Sequence, residues 1–200
     1  MESGIFALLG AVVGAAVGFG GTWLLERQRW DRARRIAVTA VVFDFASLAE
    51  AAERAARDGE RSRDSLRAEW WEKHGAELVD YLPRHLVKAL HVLYYGLDRL
   101  QHWYSRFTQG QLVPAEYKQM AAIFLHWSYQ VESVVKHIDE HNRRRWRLSI
   151  PLGGKRPRPE GEGQRATQFM DGVHRQAVER LRAEGFELDE TGRVVEANEG

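Results

Sequence analysis

GIFALLGAVVGAAVGFGGTWLL (residues 4–25), ERQRWDRARR (26–35) and IAVTAVVFDFASLAEAAERAAR (36–57) follow one another without a proline, and how this stretch folds decides the architecture. Residues 4–25 carry no charge, and as a helix they would span roughly 33 Å at 1.5 Å per residue, against a bilayer hydrocarbon layer of about 30 Å. The length predicts one membrane crossing. Glycines at 4, 10, 14, 18, 20 and 21 weaken a helix in water, whereas in lipid an unsatisfied backbone costs more than glycine does, so a helix is enforced there. A cleaved secretory signal fits poorly: Glu2 stands where a basic start is expected, and no small-x-small site precedes Trp23.

The flanking charges orient the segment. Arg27, Arg29, Arg32, Arg34 and Arg35 all lie on the C-terminal side, which places the N-terminus outside and residues 26–200 in the cytoplasm, anchored in the plasma membrane. Trp23 and Trp30 suit the cytoplasmic interface, where an indole buries its rings and keeps its N–H wet. Gly10, Gly14, Gly18 and Gly21 form one stripe, which lets a second helix approach closely. The stripe implies a homo-oligomer or docking on another membrane protein, against the plainer alternative of accidental spacing in a Gly/Ala-rich anchor.

Beyond the anchor the pattern is helical. Trp30, Ala37, Val41, Phe45, Leu48, Ala52 and Ala55 recur at three- and four-residue steps, so the first helix is expected to continue from the membrane to Arg57, ending at Asp58-Gly59. A second helix is expected over about 65–81, capped by Ser62 or Asp64, with Leu66, Trp70, Leu78 and Tyr81 on related faces. Pro83 opens a third, in which Leu86, Leu90, Leu93, Leu97 and Leu100 share a face, and Pro114 opens a fourth running to about Arg145. Three prolines and four glycines in residues 147–164 make a linker, a fifth helix follows over about 166–184, and GFELDETGRVVEANEG ends the chain as a small hairpin or a frayed tail. The expected fold class is all-α: an N-terminal transmembrane helix (1–25) continuing into a cytoplasmic antiparallel bundle (26–146), then the basic linker (147–164) and a C-terminal helix with acidic tail (165–200).

Composition excludes several chemistries. The 200 residues contain no cysteine, which removes disulfides, thiolate zinc clusters and a cysteine nucleophile. Net charge is +1, against a uniformly basic nucleic-acid binder, and no phosphate-cradling or dinucleotide fingerprint is present. No cofactor is expected. One string matches a catalytic signature: His137, Glu140 and His141 read H-x-x-E-H, the pattern in which two histidines on one helix face hold Zn²⁺ and a glutamate polarises water in a zinc hydrolase. A third ligand is missing, and Arg143, Arg144 and Arg145 follow at once, so a polar helix end complementing the helix dipole is the favoured account.

Arg143, Arg144, Arg145, Arg147, Lys155, Arg156 and Arg158 form a basic stretch without an acid, for which anionic lipid headgroups, the acidic tail and, least favoured, nucleic acid compete as partners. Adjacent aromatics such as Trp70-Trp71 and Tyr94-Tyr95 cannot both face one core, because neighbours on a helix differ by about 100°.

The Gly/Ala-rich anchor with ERQRWDRARR, then AEWWEKHGAELVDYL and ALHVLYYGLDRL, resembles uncharacterised single-pass membrane proteins common in high-GC actinobacteria, over about residues 4–105. The resemblance is one of layout and carries no functional motif; by analogy with such proteins it implies a link to phage defence. Expected function is thus a membrane-anchored, self-associating interaction or adaptor protein without enzymatic activity, with a membrane-perturbing stress or phage-defence effector as the alternative.

Overall fold

The computed structural model describes residues 2–60, 66–79, 81–147 and 162–189, with backbone alone for 2–17, 145–147 and 162. These residues form five helices: α1 (Glu2–Asp58), α2 (Glu69–Leu78), α3 (Arg84–Thr108), α4 (Pro114–Arg147) and α5 (Glu162–Ala183). The chain is all-helical among the described residues, apart from an isolated bridge at Leu188.

Helices α1, α3 and α5 all run antiparallel to α4. Between α3 and α4, Phe107 meets Tyr117 while Trp127 reaches back to the Leu93 carbonyl, so the two run antiparallel. Between α4 and α5, His137 meets Phe169 and Tyr129 meets Glu184, again antiparallel. Ala56, near the end of α1, packs with Leu125 and Tyr129, and a groove then pairs Ala46–Glu53 with Val131–Arg143. Positions that precede Ala56 thereby lie beside positions that follow Tyr129, so α4 descends along α1.

The core is built from the expected stripes. Leu86, Leu90, Leu93, Leu97 and Leu100 of α3 are all buried, together with Val41, Phe45 and Ala52 of α1 and Met120, Phe124, Val131 and Ile138 of α4. Gly96 is used for close approach: a Cβ there would stand 3.1 Å from the Trp127 ring, which lies against α3 and donates its Nε1–H to the Leu93 carbonyl at 3.0 Å. Pro114 opens α4 as expected, and Glu116 reaches back to accept the Val113 N–H at 3.0 Å, half of a capping box. Pro83 is the N-cap of α3 and lies just outside its first turn.

The second helix departs from expectation. It starts at Glu69, four residues later than the spacing suggested, and its buried residues are Trp71, Gly75 and Leu78. Trp70, expected inside, is 43% exposed, and Leu66 is buried ahead of the helix. The proposed caps at Ser62 and Asp64 lie outside the described residues. Within them, the cap comes from another helix: Asp44 of α1 accepts the Trp70 N–H at 3.0 Å, which fixes the phase that puts Trp71 edge-on to Phe45. Burial and the neighbouring Glu69 raise the Asp44 carboxyl above its ordinary value, even though the backbone N–H groups of Trp70 and Trp71 oppose that rise.

The fifth helix is part of the bundle and not a separate appendage, since Val173 joins the main core and Leu181 a second cluster with Leu125 and Tyr129. It ends in a Schellman motif: Phe186 N–H bonds the Leu181 carbonyl and Gly185 N–H that of Arg182, with Gly185 at φ +88°. Phe186 and Leu188 then pack on the second cluster, so the start of the expected hairpin or tail is docked; its Thr191-Gly192 turn lies outside the described residues.

Among the described residues no helix is long and apolar enough to cross a membrane. Most of the 4–25 run belongs to the part of α1 for which only backbone is described, so the described residues lend the expected crossing no support of their own.

Candidate functional site: a bare helix and the groove beside it

The described side chains of α1 divide at Ala37, its first buried residue. Before it, Phe19 is 81% exposed, and Trp23, Leu24, Leu25 and Trp30 are exposed as well. Thr22 returns its hydroxyl to the Gly18 carbonyl at 2.8 Å, which leaves no free donor on that turn. Arg27 lies over the Trp23 ring at 5.2 Å, and Arg29, Arg32 and Arg35 are exposed around the same turns, with Arg34 half-buried.

Of the glycine stripe, Gly10 and Gly14 lie outside the described side chains; a Cβ on Gly18 or Gly21 would meet nothing within 4 Å. At 100° per residue the Gly18 face returns at Leu25, Ile36 and Phe43. All three are exposed, Phe43 to 72%. Small residues thus give way to large apolar ones on one face of one helix.

A groove of about 480 Å³ lies between α1 and α4. Its floor is Ala46, Ala49, Val131 and Val135, with Ser128 among them. Carboxylates dominate its rim: Glu50 and Glu53 from α1, Glu132, Asp139 and Glu140 from α4, against Lys136 and Arg143. Glu53 pairs with Arg57 at 2.9 Å, Glu50 with Arg54 at 3.9 Å, and Glu132 with Arg180. None of these three arginines lines the groove.

Beyond the groove's upper end a polar clasp ties three helices. Arg57 of α1 donates to the Tyr129 hydroxyl at 2.7 Å and to both oxygens of Glu184, Tyr129 donates to Glu184, and Arg180 stacks on the Tyr129 ring at 3.8 Å. Burial and the Glu184 carboxylate push the Tyr129 phenol up to about 12. Glu184 itself is lowered by the hydrogen bonds from Tyr129 and Arg57, which outweigh its burial. Nearby, His126 Nε2 and His174 Nδ1 stand 3.0 Å apart between α4 and α5, and burial followed by the adjacent His174 pushes His126 down to about 4.

The H-x-x-E-H residues are put to other uses. His137 Nδ1 is 2.8 Å from the Ser133 carbonyl, to which it donates in the tautomer that carries the hydrogen on Nδ1, and its ring meets Phe169 edge-on. Glu140 lines the groove towards α1, and His141 is half-buried. Among the described residues no group of three His, Cys, Asp or Glu could hold a metal ion. Of the basic stretch, Arg143 and Arg144 are exposed at the descending end of α4, while the side chains of Arg145 and Arg147 and all of Lys155, Arg156 and Arg158 lie outside the described residues.

The aromatic pairs divide as their angular spacing requires: Trp71 is buried and Trp70 exposed, and Tyr94 is half-buried and Tyr95 exposed. Neither the groove nor the clasp was signalled as a unit: Glu140 and Arg143 stood in motifs that pointed elsewhere, and the other members are scattered over α1, α4, α5 and the turn after α5. Comparison of the chain with family models, with curated proteins and with solved structures finds no match.

Proposed function

We propose that the protein is a single-pass, membrane-anchored helical interaction protein whose bundle stands on the cytoplasmic side and which associates with itself along α1. One observation carries this reading: α1 leaves the bundle as a bare helix whose exposed residues include Phe19, Trp23, Leu24 and Leu25. A helix apolar all round needs an apolar medium, and residues 4–25 supply the length for a bilayer. The Trp23, Arg27 and Trp30 turns fit the headgroup level.

The antiparallel descent of α4 returns Arg143 and Arg144 towards the end of the bundle from which α1 emerges with Arg32 and Arg35 on its exposed part. That convergence favours anionic headgroups as the partner of the basic stretch, each cation adding about 1 kcal/mol near such a surface. The shared face of Gly18, Leu25, Ile36 and Phe43 favours self-association, because helices paired through small residues in lipid would continue in contact outside it.

Alkaline carbonate extraction tests the anchor. The full chain stays in the membrane pellet, and Val13→Lys, which places a charge near mid-bilayer at about 3 kcal/mol, shifts it towards the supernatant. Release of the wild type by carbonate contradicts the proposal. Gly14→Leu lowers dimer crosslinking in membranes if the stripe is the contact, and an unchanged yield removes the self-association part.

A further inference from the structure

We infer that His126 and His174 are the protein ligands of a metal site between α4 and α5, which takes a divalent late transition ion of square geometry, copper(II) ahead of nickel(II). His126 Nε2 and His174 Nδ1 stand 3.0 Å apart, with the two rings at 80° to each other. With metal–imidazole bonds of about 2.0–2.1 Å, nitrogens at that separation subtend about 91–97° at a shared ion. Adjacent corners of a square require about 90°, whereas a tetrahedral ion such as Zn²⁺ requires nitrogens roughly 3.3–3.4 Å apart. The pair is spaced for a tetragonal ion as it stands, and copper(II) is the divalent ion that nitrogen donors hold most tightly.

The surroundings support the same occupant. One ligand comes from each helix, and packing sets the two helices without help from an ion: Leu125 and Tyr129 of α4 cluster with Ala177 and Leu181 of α5 around the pair's end of the seam. The chelate is therefore preorganised. Both rings are half-buried, which leaves the remaining corners open to water, and no third His, Cys, Asp or Glu takes one among the described residues. Burial and His174 keep His126 uncharged down to about pH 4, so an ion does not compete with a proton there at neutral pH. No lysine or arginine acts on His126 among the described residues, unlike His141, which Arg143 and Arg144 follow directly along the helix.

In the hydrogen-bonded pair one ring nitrogen donates its hydrogen to the other. On binding, that hydrogen passes to the far nitrogen of its own ring, so both lone pairs turn to the ion and no net proton is released. Coordination then ties α5 to α4, and an ion that binds the folded chain alone raises its unfolding midpoint.

The test titrates copper(II) into the full chain, free of any polyhistidine tag, in neutral detergent. Calorimetry reads the affinity and electron paramagnetic resonance the ligand set. One ion per chain is expected, with a tetragonal spectrum that carries two imidazole nitrogens. His126→Gln and His174→Gln should each lower the affinity about tenfold or more, because either change breaks the chelate. His137→Gln, in the H-x-x-E-H string, should leave binding as it is. If His126→Gln loses helicity, His174→Gln decides alone. Absence of saturable binding, equal affinity in wild type and His174→Gln, or loss of binding in His137→Gln instead overturns the inference.

Discussion

The single helix α1 lives in two environments. From Ala37 onward every third or fourth residue is buried against α2 and α4; before it, no described residue is. Backbone geometry is the same on both sides, so the difference lies in side chains: Val41, Phe45, Leu48 and Ala52 form a buried stripe interrupted by Asp44, Ser47 and Glu50, whereas 4–25 carries no charge on any face. A stripe needs a neighbouring helix, and an apolar cylinder needs an apolar solvent.

Phe45→Ala is the largest expected break in that contrast. Phe45 is fully buried between Trp71 and Trp127, and its loss should cost about 3–5 kcal/mol in denaturant unfolding. Phe43→Ala, two residues away and 72% exposed, should leave bundle stability within about 0.5 kcal/mol. Similar losses at both would mean that Phe43 is covered within the fold.

Acid should act on the α4–α5 seam. His126 is lowered to about 4 in the folded chain from an ordinary value near 6.5, so the unfolded chain takes up its proton first. Its contribution is fully present above pH 6.5 and is lost as pH falls towards 4. Unfolding midpoints of wild type and His126→Gln should converge over that window, and parallel curves would show that His126 is not the group responsible.

A smaller effect is expected at the clasp. Tyr129→Phe leaves Arg57 and Glu184 paired but removes the hydroxyl between them, for about 1 kcal/mol. The phenol, held near 12 against an ordinary 10, contributes stability that is present below pH 10 and lost between 10 and 12. Tyr129→Phe should therefore flatten alkaline unfolding in that range.

Much of the bundle was legible in the sequence because helices report themselves locally. The leucines of α3 share a face by spacing alone, and Pro114 marks the start of α4. What was not legible depends on partners far apart along the chain. Asp44 caps α2 from another helix, which moved the buried tryptophan from position 70 to 71. Arg57 finds Glu184 across 127 positions, and no periodicity encodes that pairing. Glu140 had a local motif, and the motif pointed to zinc, whereas the helix turns Glu140 towards α1 and His137 towards α5. The groove arises because α4 descends along α1 with small residues at Ala46 and Ala49, a consequence of packing direction that no single helix displays.

The central claim is that the bare part of α1 crosses a bilayer with the bundle inside. The chain has no cysteine, so single replacements report topology without background. Ser47 is exposed on the part of α1 that packs in the bundle, so a thiol there is open to reagent once the reagent reaches it. In intact cells a membrane-impermeant maleimide should label Ser3→Cys and leave Ser47→Cys unlabelled until the membrane is permeabilised. Labelling of Ser47→Cys in intact cells, or protection of Ser3→Cys before permeabilisation, would contradict the account.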